Sequence, residues 1–314
     1  NIDAEHLAHY GSFGALEEAF LNFMASVPFY GLVVACLDDP VVARLLPRVT
    51  RRVTTYGLNP GADWLATDIR FEGERSYFSV QKNGVHFCNV SLPLAGAHMV
   101  RNTLAAIAAA YELRVESGTI VNSLCDFAGV SRRSEVIARD AGVLVLDDYG
   151  HHPTEIRCTL EAIKNGHVAA WRSQFGENGR LLVVFQPHRY SRTRELFSEF
   201  LTAFSAADEV VITEIYPAGE EPIAGVSGRL LAEALQHPKI FFAEALADIS
   251  QYLAARVHPG DVVLTLGAGN VCQVAYELKG MLIQEAGQQM GQETTGRRSE
   301  LSASTTVNPI QLAH

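Results

Sequence analysis

Hydrophobic and polar positions change rhythm partway along this chain, and the change marks two units. In the first, Phe13, Leu16, Phe20 and Phe23 recur near helical spacing. Gly31-Leu32-Val33-Val34-Ala35-Cys36-Leu37 reads as a buried strand, and Asp38-Asp39-Pro40 opens the next helix with an acidic cap and an early proline. Between Arg52 and Leu94, Tyr77-Phe78-Ser79-Val80 and Val85-His86-Phe87-Cys88-Asn89-Val90 alternate with period two. Asn83-Gly84 divides them and predicts a tight hairpin. An Ala-rich helix is expected from Val100 to Glu116 and a second from Ile120 to Phe127.

After Gly129 strands and helices alternate. Strands are expected at Val143–Leu146, Leu181–Phe185, Glu209–Thr213, Lys239–Phe242 and Val262–Leu266. Helical patterns separate them at Thr154–Lys164, Arg194–Ser205, Ser227–Leu235 and Leu246–Val257, and a last helix runs from Val271 to Glu285. This is the βαβ rhythm of a doubly wound, mostly parallel sheet. Residues 286–314 turn to Gln, Gly, Ser, Thr and charges, the composition of a disordered tail. The expected organisation is α/β, with units over 1–129 and 130–285 hinged near Gly129.

Bulk composition narrows the function. The 314 residues are 48% hydrophobic and 19% charged, enough for one or two domains with full cores. A net charge of −10 without a basic stripe argues against a nonspecific nucleic-acid binder. No run approaches the roughly 18 apolar residues of a membrane span, and no secretory pattern opens the sequence. Cys36, Cys88, Cys125, Cys158 and Cys272 are scattered, without a Cys-x-x-Cys pair. That pattern favours neither a disulfide framework nor zinc, and suits a reducing cytoplasm.

Two segments concentrate chemistry at expected strand ends. Asp147-Asp148-Tyr149-Gly150-His151-His152-Pro153-Thr154-Glu155 brings two acids, a tyrosine and two imidazoles to the end of a strand. In open α/β sheets that edge is where ligands bind. The bland alternative has Asp147 capping a helix and the histidines at the surface. Phe185-Gln186-Pro187-His188-Arg189-Tyr190-Ser191-Arg192-Thr193-Arg194 places three arginines within six residues before a helix. Paired guanidinium N–H groups suit carboxylate or phosphate oxygens; a solvated turn is the alternative.

Together these segments resemble the Mur ligases, and within them the branch that joins L-alanine to UDP-N-acetylmuramate. Matching elements in family order are Asn1-Ile2-Asp3-Ala4-Glu5-His6, Pro28-Phe29-Tyr30-Gly31, Asp38-Asp39-Pro40, Gly129 to Arg133, the two long segments, Tyr216-Pro217-Ala218-Gly219-Glu220 and Gly267-Ala268-Gly269-Asn270. The resemblance implies the later part of a central ATPase domain followed by a Rossmann-like C-terminal domain. It also implies ATP-dependent amide formation through an acyl phosphate in peptidoglycan precursor synthesis, with magnesium. By the same resemblance His6 and Glu17 fall at metal positions, and His98, Asn102, Arg133, Asp148 and Tyr149 at nucleotide positions. His151, Arg189 and Arg192 fall at the muramyl–alanine end, with catalytic and substrate-binding roles.

Departures from the family pattern qualify this. No Gly-x-x-Gly-Lys-[Ser/Thr] phosphate loop occurs in these residues, and the UDP-binding domain is absent. Because Asn1 falls inside a family motif, the chain is expected to lack its natural beginning. Glu17 stands where the family has a lysine that in related ligases carries a carbamate near magnesium. Met99 replaces an asparagine expected beside the adenine, and Ser134 a large apolar residue. The alternative function is a non-catalytic module that binds nucleotide or a cell-wall precursor.

Overall fold

The computed structural model describes residues 1–4, 7–176 and 178–284, and these form two sheets. The expected helix at the C-terminal end spans 272–284, and the segment read as a tail lies outside the described residues.

The first sheet has five strands in sequential order: β1 (Val33–Cys36), β2 (Val53–Gly57), β3 (Trp64–Glu72), β4 (Arg75–Lys82) and β5 (Val85–Leu92). β1 to β3 pair in parallel, and β3 to β5 are antiparallel. Asn83 (φ +49°) and Gly84 (φ +77°) both occupy the left-handed region at the β4–β5 tip, as the hairpin turn requires. Alternation buries Phe78 and Val80 of β4 with Cys88, Val90 and Leu92 of β5. They pack against Val100, Leu104, Ile107 and Ala108, one face of the helix Ala97–Glu112. That helix stops four residues short of the expected end, where Arg114 takes φ +60°. The next helix spans Ser117–Cys125. In the helix Phe13–Ala25 the core positions are Leu16, Leu21 and Met24, whereas Phe23 is exposed. Asp39 caps the helix Pro40–Leu45 by accepting from the Val42 N–H at 2.7 Å, as expected.

The second sheet orders its six strands β10-β9-β8-β11-β7-β6. They are β6 (Glu135–Asp140), β7 (Val143–Asp148), β8 (Leu181–Phe185), β9 (Glu209–Thr213), β10 (Ile240–Ala243) and β11 (Val262–Leu266). All pairings are parallel except β6 against β7 at one edge. Every residue of β7, β8, β9 and β11 is buried, because helices cover both faces. Edge strand β6 is an addition to the expected set. Its charged ends and a bulge between Val136 and Ala138 obscure the alternation.

Two helical stretches of the second unit are built differently from the expectation. The helix Pro153–Ile163 continues into a π-helical turn, Lys164–Val168, and the helix Ala169–Phe175. After β8, the expected single helix is two short ones, Tyr190–Glu195 and Phe197–Phe200, broken at Leu196.

The two units meet where the β3–β4 turn reaches the second sheet. Glu74 accepts from Arg139 at 2.6 and 2.7 Å. Gly166 of the π-turn passes so close to the Gly73 carbonyl that a Cβ there would come within 2.6 Å.

Candidate functional site

β7 delivers the two acids to different tasks. Asp147 is buried and accepts from Arg132 Nε at 2.9 Å and Thr265 Oγ1 at 2.6 Å. Arg132 also donates to the carbonyls of Gly267 (2.6 Å) and Gly269 (3.2 Å). Asp147 and Arg132 thereby tie the ends of β7 and β11 together. Asp148 accepts from the N–H groups of Ser134 (2.8 Å) and Gly150 (2.7 Å). Burial raises its pKa, with those donors and Arg133 acting against the rise. The Tyr149 ring has the guanidinium carbons of Arg132 and Arg133 at 5.0 and 5.7 Å.

Pro153 stands in the first turn of the next helix and His152 at its cap, with Glu155 reaching back to the His152 N–H at 3.3 Å. Glu155 also accepts from the His151 N–H at 3.0 Å. Burial works to raise the Glu155 pKa, but the His151 donor and charge, the His152 N–H and Arg133 outweigh it and hold it low. The first turn after β7 is thus fixed around His151.

The arginine segment leaves β8 and is zipped to the loop that follows β9. Tyr216 N–H donates to the Pro187 carbonyl at 2.8 Å, and Arg189 N–H donates to the Tyr216 carbonyl at 2.9 Å. His188 lies between, its ring 5.5 Å from Tyr216 at 10° and 5.6 Å from His151. Arg192 Nη1 is 3.3 Å from both His188 Nδ1 and the His188 carbonyl. Burial, then the charges of His151, Arg192 and Arg189, push the His188 pKa down to about 4. His188 is therefore neutral near pH 7. The expected residues His151, Arg189 and Arg192 gather around it.

The residues expected at the nucleotide come from both units. Asp148, Tyr149 and Arg133 sit beside the His151 group, while His98 and Asn102 stand on the helix Ala97–Glu112. His98 is half-buried and Asn102 exposed. Burial and the charges of Arg101 and Arg133 lower the His98 pKa to about 4. Arg133 thus acts electrostatically on both sides of the boundary. A cleft of about 340 Å³ opens there, walled by Leu94, Met99, Arg133, Ile163 and His167. His167 Nδ1 is buried without a hydrogen-bond partner.

Of the expected metal positions, His6 lies outside the described residues. Glu17, on the helix Phe13–Ala25, forms an ion pair with Arg44. Among the described residues no group of three or more His, Cys, Asp or Glu could hold a metal ion.

Arg132, His188 and Tyr216 occupy central places without having been assigned roles from sequence. All three fall within segments that carry the family resemblance, so position in a motif was their only signal. The glycines after β11 serve packing. Gly267 has φ +148° and its Cβ would meet the Gln186 carbonyl at 2.8 Å, while one on Gly269 would lie 2.3 Å from Gln186 Oε1.

The family profile described as Mur ligase middle domain matches residues 1–110, and that described as Mur ligase, glutamate ligase domain matches 132–269. A UDP-N-acetylmuramate–L-alanine ligase of Geobacter sulfurreducens is 48% identical over 278 residues, which cover 87% of this chain and 58% of that protein. The corresponding ligase of Geobacter sp. strain M21 is 46% identical over 277 residues, with the same coverages of 87% and 58%. The chain thus spans a little under three-fifths of the length of these relatives. Among solved structures, the UDP-N-acetylmuramate–alanine ligase of Thermotoga maritima superposes with a TM-score of 0.68 at 27% identity, covering 88% of this chain and 56% of that one. The MurF ligase of the same organism, solved with ADP, shares the fold with a TM-score of 0.70 at 22% identity, covering 91% and 62%. With two consecutive Mur ligase domains covering both sheets, the chain belongs to the Mur ligase family.

Proposed function

We propose that this chain forms part of a cytoplasmic UDP-N-acetylmuramate–L-alanine ligase that consumes ATP with magnesium. The observation that carries this reading is the gathering of His151, Arg189 and Arg192 around a neutral His188 at the carboxyl ends of β7 and β8. No helix among the described residues is long and apolar enough to cross a membrane.

A carboxylate is a poor acyl donor because its leaving group would be oxide. ATP, when bound, supplies the phosphoryl group that makes the lactyl carboxylate of UDP-N-acetylmuramate an acyl donor with phosphate as leaving group. The chain's own residues then hold the acceptor. Arg189 and Arg192 grip the carboxylate of L-alanine through charge-assisted hydrogen bonds. His188 is uncharged and adds no third cation against the approaching amine, while His151 borders the reacting end. In this reading Asp148, Tyr149 and Arg133 meet the nucleotide from the second unit, and His98 and Asn102 meet it from the first. Of these five, Arg133 lines the cleft at the unit boundary, whose wall mixes apolar side chains with Glu74, Glu135 and the orphaned His167 Nδ1. Magnesium would accompany ATP and offset the charge of its phosphates. We place the unit boundary at Gly129 (φ +88°), between the helix Ser117–Cys125 and β6.

The test is product analysis with the full-length enzyme. UDP-N-acetylmuramate, ATP and magnesium should give an alanyl adduct by mass spectrometry when L-alanine is added, with stoichiometric ADP and phosphate. Nucleotide or precursor binding without any adduct would favour the non-catalytic module instead.

A further inference from the structure

We infer that Glu220 is a positioning residue for the amino-acid end of this site, fixing Arg189 and the first turn of the arginine-bearing helix without itself touching substrate. The inference rests on the proposed role of Arg189 and Arg192.

Glu220 comes from the loop after β9, whereas the arginines come from the segment after β8. Its carboxylate crosses the gap and uses both oxygens. Oε2 accepts from the Ser191 N–H at 3.0 Å and Oε1 from the Ser191 hydroxyl at 2.6 Å. Arg189 Nη1 stands 3.6 Å from the same Oε1. Burial works to raise the Glu220 pKa, but the two Ser191 donors and Arg189 outweigh it and hold it low.

Arg189 needs such a restraint. It has φ +72°, a left-handed backbone unusual for a long side chain, at the cap of the helix Tyr190–Glu195. Its side chain is nearly half exposed, at 47%, so packing does little to choose a rotamer. The backbone bond from Arg189 to Tyr216 holds the main chain, and Glu220 holds Ser191, two residues further on. The carboxylate gives its short contacts to Ser191 and attracts the guanidinium at longer range. Arg189 is thereby oriented while its N–H fork stays available to a ligand. Glu220 is itself seated by its N–H bond to the Pro217 carbonyl at 3.0 Å.

The experiment compares Glu220→Gln, Glu220→Asp and Arg189→Ala in the full-length enzyme, with L-alanine, ATP and UDP-N-acetylmuramate varied in turn. Glu220→Gln keeps the shape but loses the charge that orients Arg189. Its KM for L-alanine should rise about tenfold, with kcat and the other two KM values within about twofold. Glu220→Asp should lie between Gln and wild type. An alanine KM that is unchanged or lower in Glu220→Gln would overturn the inference, as would equal rises for all three substrates. Arg189→Ala separates the two levels of the argument. If it raises the alanine KM and Glu220→Gln does not, only the positioning role falls. If Arg189→Ala is also without effect, the amino-acid assignment falls with it.

Discussion

His188 and Tyr216 stack across two loops, with ring centroids 5.5 Å apart and planes 10° from parallel. One residue follows β8 and the other follows β9, so the stack couples the ends of neighbouring parallel strands. His151 packs on His188 from β7's side at 5.6 Å. Three strand ends are joined through one imidazole, and the arginines hang from that assembly.

Arg189→Ala and Arg192→Ala in the full-length enzyme should mainly impair use of L-alanine. Losing a charge-assisted contact to a desolvated carboxylate costs about 2–5 kcal/mol, enough to raise the alanine requirement by tens-fold or more. Steady-state kinetics with each substrate varied checks this. Unchanged alanine KM and kcat in both variants would remove these residues from the site.

Arg132→Ala should destabilise the fold more than either site arginine. It would leave the Asp147 carboxylate, 1% exposed, with Thr265 alone, and free the carbonyls of Gly267 and Gly269. Removing one partner of a buried ion pair costs about 3–5 kcal/mol. At roughly 2–4 °C per kcal/mol for a unit of this size, thermal melting should fall by about ten degrees. Adding Asp147→Asn should recover part of the loss, because the stranded charge disappears. A double variant no more stable than Arg132→Ala would show that the charge is not the cause.

These residues also show what the sequence makes legible. β8 is apolar throughout and β7, β9 and β11 are built on unbroken apolar stretches, because both faces are covered, so each stands out without context. The Asn83-Gly84 turn and the Asp39-Pro40 helix start depend on local backbone chemistry, which a short window captures. β6 is hidden because its pattern is broken by a bulge and set by pairing with β7 alone. The break at Leu196 and the π-turn at Lys164–Val168 reflect tertiary packing, which periodicity does not encode. Arg132 meets Gly267 and Gly269 across more than 130 residues of sequence, so only the folded sheet reveals its partners. His151, Arg189 and Arg192 were legible as chemistry at strand ends, but the central place of His188 was not.

Stability should depend on pH through His98 and His188. Both are lowered to about 4 from an ordinary 6.5, chiefly by burial. Between those values the unfolded chain binds more protons than the folded one, so stability is full above about pH 6.5 and is lost as pH falls toward 4. Each pKa unit is worth about 1.4 kcal/mol, and partial exposure of both rings reduces the sum to a few kcal/mol. Melting temperature against pH checks the sign, and His98→Gln should flatten the acid limb. A limb of unchanged steepness in that variant would contradict the role of His98.

Glu17 and Glu18 separate a metal role from a surface ion pair. They pair with Arg44 and Arg48 respectively, whose guanidinium groups are open to solvent, and such pairs contribute about 0–1 kcal/mol. Glu17→Gln and Glu18→Gln should therefore have similarly small effects on melting. If Glu17 places a negative oxygen near magnesium, only Glu17→Gln lowers the activity of the full-length enzyme, and excess magnesium partly restores it. Equal small losses without magnesium rescue would confine Glu17 to its pair with Arg44.

The route of oxygen tests the central claim most directly. UDP-N-acetylmuramate labelled with ¹⁸O in both oxygens of the lactyl carboxylate would be turned over by the full-length enzyme with ATP and L-alanine, and the released phosphate analysed by mass spectrometry. An acyl phosphate attacked by the alanine amine must transfer one labelled oxygen to phosphate and leave the other in the new amide. Phosphate carrying a single ¹⁸O per turnover is the predicted result; unlabelled phosphate formed alongside the alanyl product would contradict the account.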